Sequence, residues 1–117
     1  MSESVARIKS EAFAIRIIKF AKFIRDNRKE FDLASQILRS RTSIAANLAE
    51  SEYAVSKNDF TNKIYIALKE CAETLLWLRL LNKSEIITDR QFDSLYQDCE
   101  ELRKMLNSTT RTIRVKK

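Results

Sequence analysis

The chain of 117 residues contains no glycine, no proline and no histidine, and only two cysteines and one tryptophan. Average usage would supply roughly eight glycines and six prolines in this length. Without proline the helix-breaking ring is missing, and without glycine so is the residue that takes a positive φ at no steric cost. The lack of histidine removes the commonest general base and metal ligand. Glycine-rich loops that cradle phosphates are excluded as well. Side-chain catalysis is therefore not expected, and the sequence asks for no cofactor. Cys71 and Cys99 have no CxxC spacing and no histidine to complete a zinc site. No apolar run approaches the ~18 residues of a membrane span, and no signal-peptide pattern opens the chain. A cytoplasmic protein with no membrane partner is the expectation.

What remains is rich in Ala, Leu, Ile, Lys, Arg and Glu, with 44% hydrophobic residues, enough for one modest core in one domain. The class is all-α. The formal charge is +6, unevenly spread. Arg111, Arg114, Lys116 and Lys117 fall in the last nine residues with no acid, which leaves Met1–Ser108 four charges lower, at +2. Met1–Lys29 holds eight bases against three acids. A basic first segment and a basic tail suit an anionic partner.

Four periodic segments follow one another, predicted as helices over about 5–27, 30–53, 57–82 and 89–108. The first is apolar over far more than the ~100° stripe of a helix lying on one core. Its polar remainder is a narrow basic strip of Arg16, Lys19, Lys22 and Arg25. The second is read as capped by Asn27 with Glu30 at N3, and its polar stretch Arg39-Ser-Arg-Thr-Ser43 invites a kink or break. Ser56 with Asp59 starts the third, where Val55 and Phe60 could form a hydrophobic staple. Leu75-Leu-Trp-Leu78, Leu80 and Leu81 make its end apolar nearly all round, so the first and third helices each need partners on two sides. Thr88-Asp-Arg-Gln91 reads as a capping box for the fourth, with Ile87 and Phe92 as its staple and Arg103 snorkelling from the inward stripe. Residues 109–117 show no helical apolar face and read as a basic, flexible tail. Short connectors between such segments imply an antiparallel up-down-up-down four-helix bundle over 1–108, in which Cys71 and Cys99 meet at one level of the core.

Three constellations could carry chemistry. Glu50, Glu70 and Glu73 lack the histidines of a di-iron bundle site, so no metal is expected. Arg39, Ser43, Asn47 and Glu50 line up at helical spacing beside Ala45, Ala46 and Ala49, a pattern open to a ligand-binding strip and read about equally as an inter-subunit hydrogen-bonding seam or a solvated face. Glu70, Glu73 and Trp77 of the third helix are assigned to the same seam. The nucleic-acid candidates are Arg16, Lys19, Lys22, Arg25, Arg28, Lys29, Arg39, Arg41, Arg111, Arg114, Lys116 and Lys117. Aromatic interleaving for base stacking is missing, so sequence readout is not expected, and an oligomer would gain by repeating the patch.

Arg39-Ser-Arg-Thr-Ser-Ile-Ala-Ala-Asn-Leu-Ala-Glu-Ser51 resembles the signature of the four-helix-bundle proteins encoded within bacterial 23S rRNA intervening sequences. Ser56-Lys-Asn-Asp-Phe60, Ala67-Leu-Lys-Glu-Cys-Ala-Glu-Thr-Leu-Leu-Trp-Leu-Arg-Leu-Leu81 and the region around Phe13-Ala-Ile-Arg-Ile-Ile-Lys19 resemble the same family. The likeness covers about Phe13 to Ile87. More distantly, the family is similar to the accessory variability determinant of diversity-generating retroelements, which works beside a reverse transcriptase and its template RNA. The resemblance implies a left-handed protomer assembling into a homopentameric ring with basic surfaces. Arg41 and Ala45 depart from the pattern, which usually has small or helix-breaking residues there, often glycine.

The functional expectation is a non-enzymatic, oligomeric nucleic-acid-associated protein that binds structured RNA, or DNA, through phosphate contacts. Its rival is a protein-interaction scaffold or accessory factor for a polymerase or reverse transcriptase, favoured by the modest charge of Met1–Ser108.

Overall fold

Short polar signals start and stop each helix. The structure, a computed structural model, describes residues 2–115, with side chains for residues 5–39 and 43–113. Four helices make up the fold: α1 (Ser2–Arg28), α2 (Phe31–Ser51), α3 (Lys57–Lys83) and α4 (Asp89–Val115). No strand occurs among the described residues. The capping box of α4 is reciprocal: Gln91 N donates to Thr88 Oγ1 at 3.1 Å, and Thr88 N to Gln91 Oε1 at 2.9 Å. Ser56 Oγ accepts from Asp59 N at 3.0 Å to start α3. The Val55–Phe60 staple does not form, because Val55 is 92% exposed. Asp59 Oδ2 accepts from Val55 N at 3.2 Å and fixes the chain's entry instead.

The start of α2 also differs from the sequence reading. Glu30, not Asn27, is the N-cap, accepting from Leu33 N at 3.4 Å. Asn27 stays within α1 and donates to Phe23 O at 3.2 Å. The break between the two helices is Lys29, whose φ of 57° is left-handed. Glu85, φ 60°, does the same after α3. There Ile86 N donates to Leu81 O and Glu85 N to Asn82 O, both at 3.0 Å, the Schellman pattern whose left-handed residue is usually glycine. A chain without glycine thus still makes two positive-φ turns, and makes them with charged residues.

Through the polar stretch 39–43, α2 runs as one unbroken helix. The fourth helix continues past Ser108 to Val115, where a flexible tail was expected. Its threonines explain the difference. Thr110 is buried, donates to Asn107 O at 2.8 Å, and continues the inward line of Cys99, Leu102 and Leu106. Thr109 and Thr112 bond back to Met105 O and Ser108 O, each at 3.1 Å. A buried hydroxyl satisfied by its own helix can occupy an inward position that a hydropathy pattern leaves blank. Lys116 and Lys117 lie outside the described residues.

Helix α1 packs against α2 and α4, and α3 against α2 and α4. The molecule measures 47 × 21 × 20 Å, one long helix by two helix widths. Ile17, Ile24, Ile37, Ile44, Leu78, Leu81, Leu102 and Leu106 are almost fully buried in its core. Cys71 and Cys99 do meet there as free thiols, Cys99 Sγ donating to Cys71 O at 3.6 Å. The neighbouring Cys71 thiol, then burial, push the Cys99 thiol far above its usual range, so it fills space and offers no nucleophile. Arg103 is half-buried and paired with Glu100, whose carboxyl it holds below the usual range.

Glycine at either left-handed position removes a cost of ~1–2 kcal/mol and returns part of it as unfolded-chain entropy. Lys29→Gly and Glu85→Gly should each raise the unfolding free energy by about 0.5–1 kcal/mol in urea titrations. Lys69→Gly, at an exposed position in the middle of α3, should lower it by about 1 kcal/mol.

Candidate nucleic-acid interface

Residues of α1 fall about 100° apart around the helix. Ala6, Ser10, Phe13, Ala14, Ile17, Ala21 and Ile24 are buried and define its inner face. Steps of three residues drift by about 60°, so Arg16, Lys19, Lys22 and Arg25 wind through about 180° of the outer surface instead of forming a narrow strip. Arg16 leans to α4, where it pairs with Asp98 and donates to Ser94 Oγ at 2.8 Å. Lys19 and Lys22 point away from the core and are exposed. Arg25 lies 3.4 Å from Asp26. Arg28 and Lys29 are exposed at the α1–α2 turn.

Between α1 and α4 runs a groove of about 440 Å³, lined by Arg16, Lys19, Phe20, Arg90, Gln91, Ser94 and Leu95. It brings Arg16 and Lys19 of the expected set together with Arg90, which the sequence reading missed. Arg90 stands inside the capping box, and only the pairing of α1 with α4 reveals which helix it faces. The lining holds no carboxylate. Arg16 is already occupied, so Lys19 and Arg90 are the cations it leaves available. The other candidates are not gathered here. Arg39 is exposed on α2, which does not pack on α4. Arg111 is exposed about 30 Å farther along α4 than Arg90. The side chains of Arg41 and Arg114, and all of Lys116 and Lys117, lie outside the described residues.

The seam candidates divide by helix. On α2, Asn47 Nδ2 donates to Ser43 O at 2.7 Å and Ser43 Oγ at 3.1 Å, which ties the two side chains together on their own helix. Glu50 reaches across to Lys63 of α3 at 2.9 Å. On α3, Glu70 is half-buried, and burial first, then repulsion from Glu73, raises its carboxyl above the usual range. Trp77 packs against the core, and its buried indole Nε1 has no hydrogen-bond partner among the described residues.

Apolar side chains also stand outside. On α1, Val5, Ile8, Ile15 and Ile18 are 42–61% exposed on the side opposite the core. On α3, Tyr65, Leu76 and Leu80 are 38–40% exposed, again opposite the buried line. The two helices do not pack on each other, so these stripes lie on different sides of the molecule. Among the described residues, no group of three or more Cys, Asp or Glu could hold a metal ion, and no helix is long and apolar enough to cross a membrane.

The model of the 23S rRNA-intervening sequence protein family matches residues 3–108. The chain belongs to this family. The match agrees with the likeness read from Phe13 to Ile87 and extends it to α1's start and through most of α4. A crystal structure of a protein of unknown function from the S23 ribosomal protein family of Bacteroides thetaiotaomicron VPI-5482 is similar at 47% identity, with a TM-score of 0.93. The alignment covers 95% of this chain and 99% of that one. No curated protein matches.

The raised Glu70 pKa has a stability sign within this family fold. The native state holds the proton more tightly than the unfolded chain, so ionised Glu70 lowers stability above its folded pKa, and the loss disappears as pH falls to the unfolded value. Glu70→Gln should therefore raise Tm at about pH 7 and leave it unchanged near pH 3, below the usual glutamate range, in paired thermal melts.

Proposed function

We infer that this member of the 23S rRNA-intervening sequence protein family is a non-enzymatic, oligomeric protein that binds structured RNA through the basic outer surface of α1 and its groove with α4. The observation that carries this reading is the groove itself, where Lys19 and Arg90 flank Phe20 with no carboxylate in the lining. Exposed Lys22, Arg28 and Lys29 continue the positive surface towards the α1–α2 turn. Such side chains contact phosphates, which confers affinity and strong salt dependence but little sequence preference.

The oligomer rests on the two outer apolar stripes. They differ in composition and lie on different sides of the protomer, so a contact between them is heterologous, the kind that forms a ring where the rotation between protomers closes. Five subunits, and a left-handed up-down-up-down protomer, come from the family resemblance. Connectors of two to five residues support that order, because none is long enough to run back along a helix of ~30–40 Å. Ring formation would bring several copies of the α1–α4 groove to one RNA, and avidity would offset the modest charge of each.

The test is titration of a labelled structured RNA with nuclease-treated protein at about 50 mM and about 200 mM salt. Tight binding that weakens steeply at the higher salt is expected, and Lys19→Glu/Lys22→Glu/Arg90→Glu should abolish it with helicity and mass unchanged. Unaltered affinity in that variant would rule out this surface. Absence of binding at the lower salt would turn the reading to the scaffold for a polymerase or reverse transcriptase, for which exposed Tyr53 and Val55 in the α2–α3 turn offer an apolar contact. Light scattering checks the assembly separately: Ile8→Asp/Ile15→Asp should reduce a particle several times the 13.7 kDa chain mass to the monomer.

A further inference from the structure

At the other end of the bundle from the α1–α2 turn, a second cavity of about 690 Å³ opens between the start of α3 and the last turns of α4. This volume lies within the range of small-molecule sites. Among the described residues, small side chains line its α1 side: α1 contributes Ala6, and Ser10 is the next buried residue along that face. The exposures of the lining residues sort it into rim and interior. Lys57 of α3 and Lys104 of α4 are exposed and stand at the rim. Phe60, Met105 and Ile113 are half-buried, and Ala6 is buried beneath them.

The hydroxyls in the wall do not make the interior polar. Thr61 donates to Lys57 O at 2.9 Å, and Thr109 and Thr112 donate to Met105 O and Ser108 O at 3.1 Å. Their protons are therefore spent on their own helices, and the fourth wall hydroxyl, Ser108, is exposed at the rim, so a polar ligand such as a sugar would find few donors inside, at a desolvation cost for each group left unpaired. At the rim the balance reverses. Among the described residues neither lysine forms an ion pair and no carboxylate lines the cavity, although Lys104 adds to the pull of Arg103 on the Glu100 carboxyl. A site with two cations at its mouth and an apolar interior matches one ligand chemistry, a chain of methylene groups ending in an anion.

We propose that this cavity binds a free single-chain fatty carboxylate, its head group held between Lys57 and Lys104 and its chain laid against Phe60, Met105 and Ile113. The site shares no residue with the α1–α4 groove and does not depend on RNA binding. It also gives the extension of α4 beyond Ser108 a role, since Thr109, Thr112 and Ile113 supply one wall.

The experiment is calorimetric titration of the full chain with sodium dodecanoate below its micelle concentration, beside dodecanol and dodecyltrimethylammonium. Dodecanoate should saturate one site per protomer with micromolar affinity, dodecanol should bind at least about tenfold more weakly, and the cation should not bind. Lys57→Glu/Lys104→Glu, two exposed positions whose reversal leaves the fold intact by circular dichroism, should weaken dodecanoate at least about tenfold. Thr109→Trp should fill the cavity and abolish the heat. Equal affinity for the three amphiphiles, or undiminished dodecanoate binding in the lysine variant, would overturn the proposal. So would association with phosphatidylglycerol vesicles in the absence of binding to free dodecanoate.

Discussion

Ile17, Ile24, Ile37, Ile44, Leu78, Leu81, Leu102 and Leu106 lose essentially all contact with water. No disulfide joins the two cysteines, and among the described residues no metal cluster adds a staple, so aliphatic burial has to hold the four helices together. Each such side chain contributes about 1.5–3 kcal/mol. That dependence shapes the surface as well as the interior. Helices α1 and α3 supply their share of the core from one face and still carry isoleucine, leucine and tyrosine on the opposite one, more apolar surface than a bundle of four can enclose.

Packing is not equally tight around the bundle. At the level of the larger cavity the described residues that α1 buries are the small Ala6 and Ser10, and both cavities border α4. Two ion pairs cross from α1 to α4: Lys9 meets Glu101 at 2.6 Å, and Arg16 binds Asp98 beside its bond to Ser94. Exposed pairs of this kind add little stability, and Arg16 stands both in such a pair and in the lining of the groove. The positive groove and the larger cavity thus both lie on the α4 side of the bundle.

The sequence made the fold legible wherever the signal was local. Missing glycine and proline gave the class, the Thr88–Gln91 box gave the start of α4, and apolar spacing brought Cys71 and Cys99 to one level. Errors arose where a polar residue did an apolar residue's work or where the partner was remote. Thr110 is buried with its hydroxyl bonded to its own helix, so the end of α4 looked like a tail. Lys29 and Glu85 turn the chain in conformations that composition argued against. In the candidate interface, Lys19 and Lys22 were readable as exposed cations, but their neighbour Arg90 is 71 residues from Lys19 and becomes visible only when α1 and α4 pack. Burial of Glu70 and the unpartnered indole of Trp77 likewise belong to tertiary contacts, although helical spacing had already put both on one side of α3.

The thiol pair in the middle of α3 and α4 gives the protein a clock for its own breathing. Cys99 Sγ is fully buried and bonded to Cys71 O, and its thiolate is strongly disfavoured in the closed state. A soluble thiol reagent can react with either sulfur only after the two helices part. In a chain with no other cysteine, the rate at which label accumulates counts those partings, and its dependence on reagent concentration separates how often they occur from how long they last.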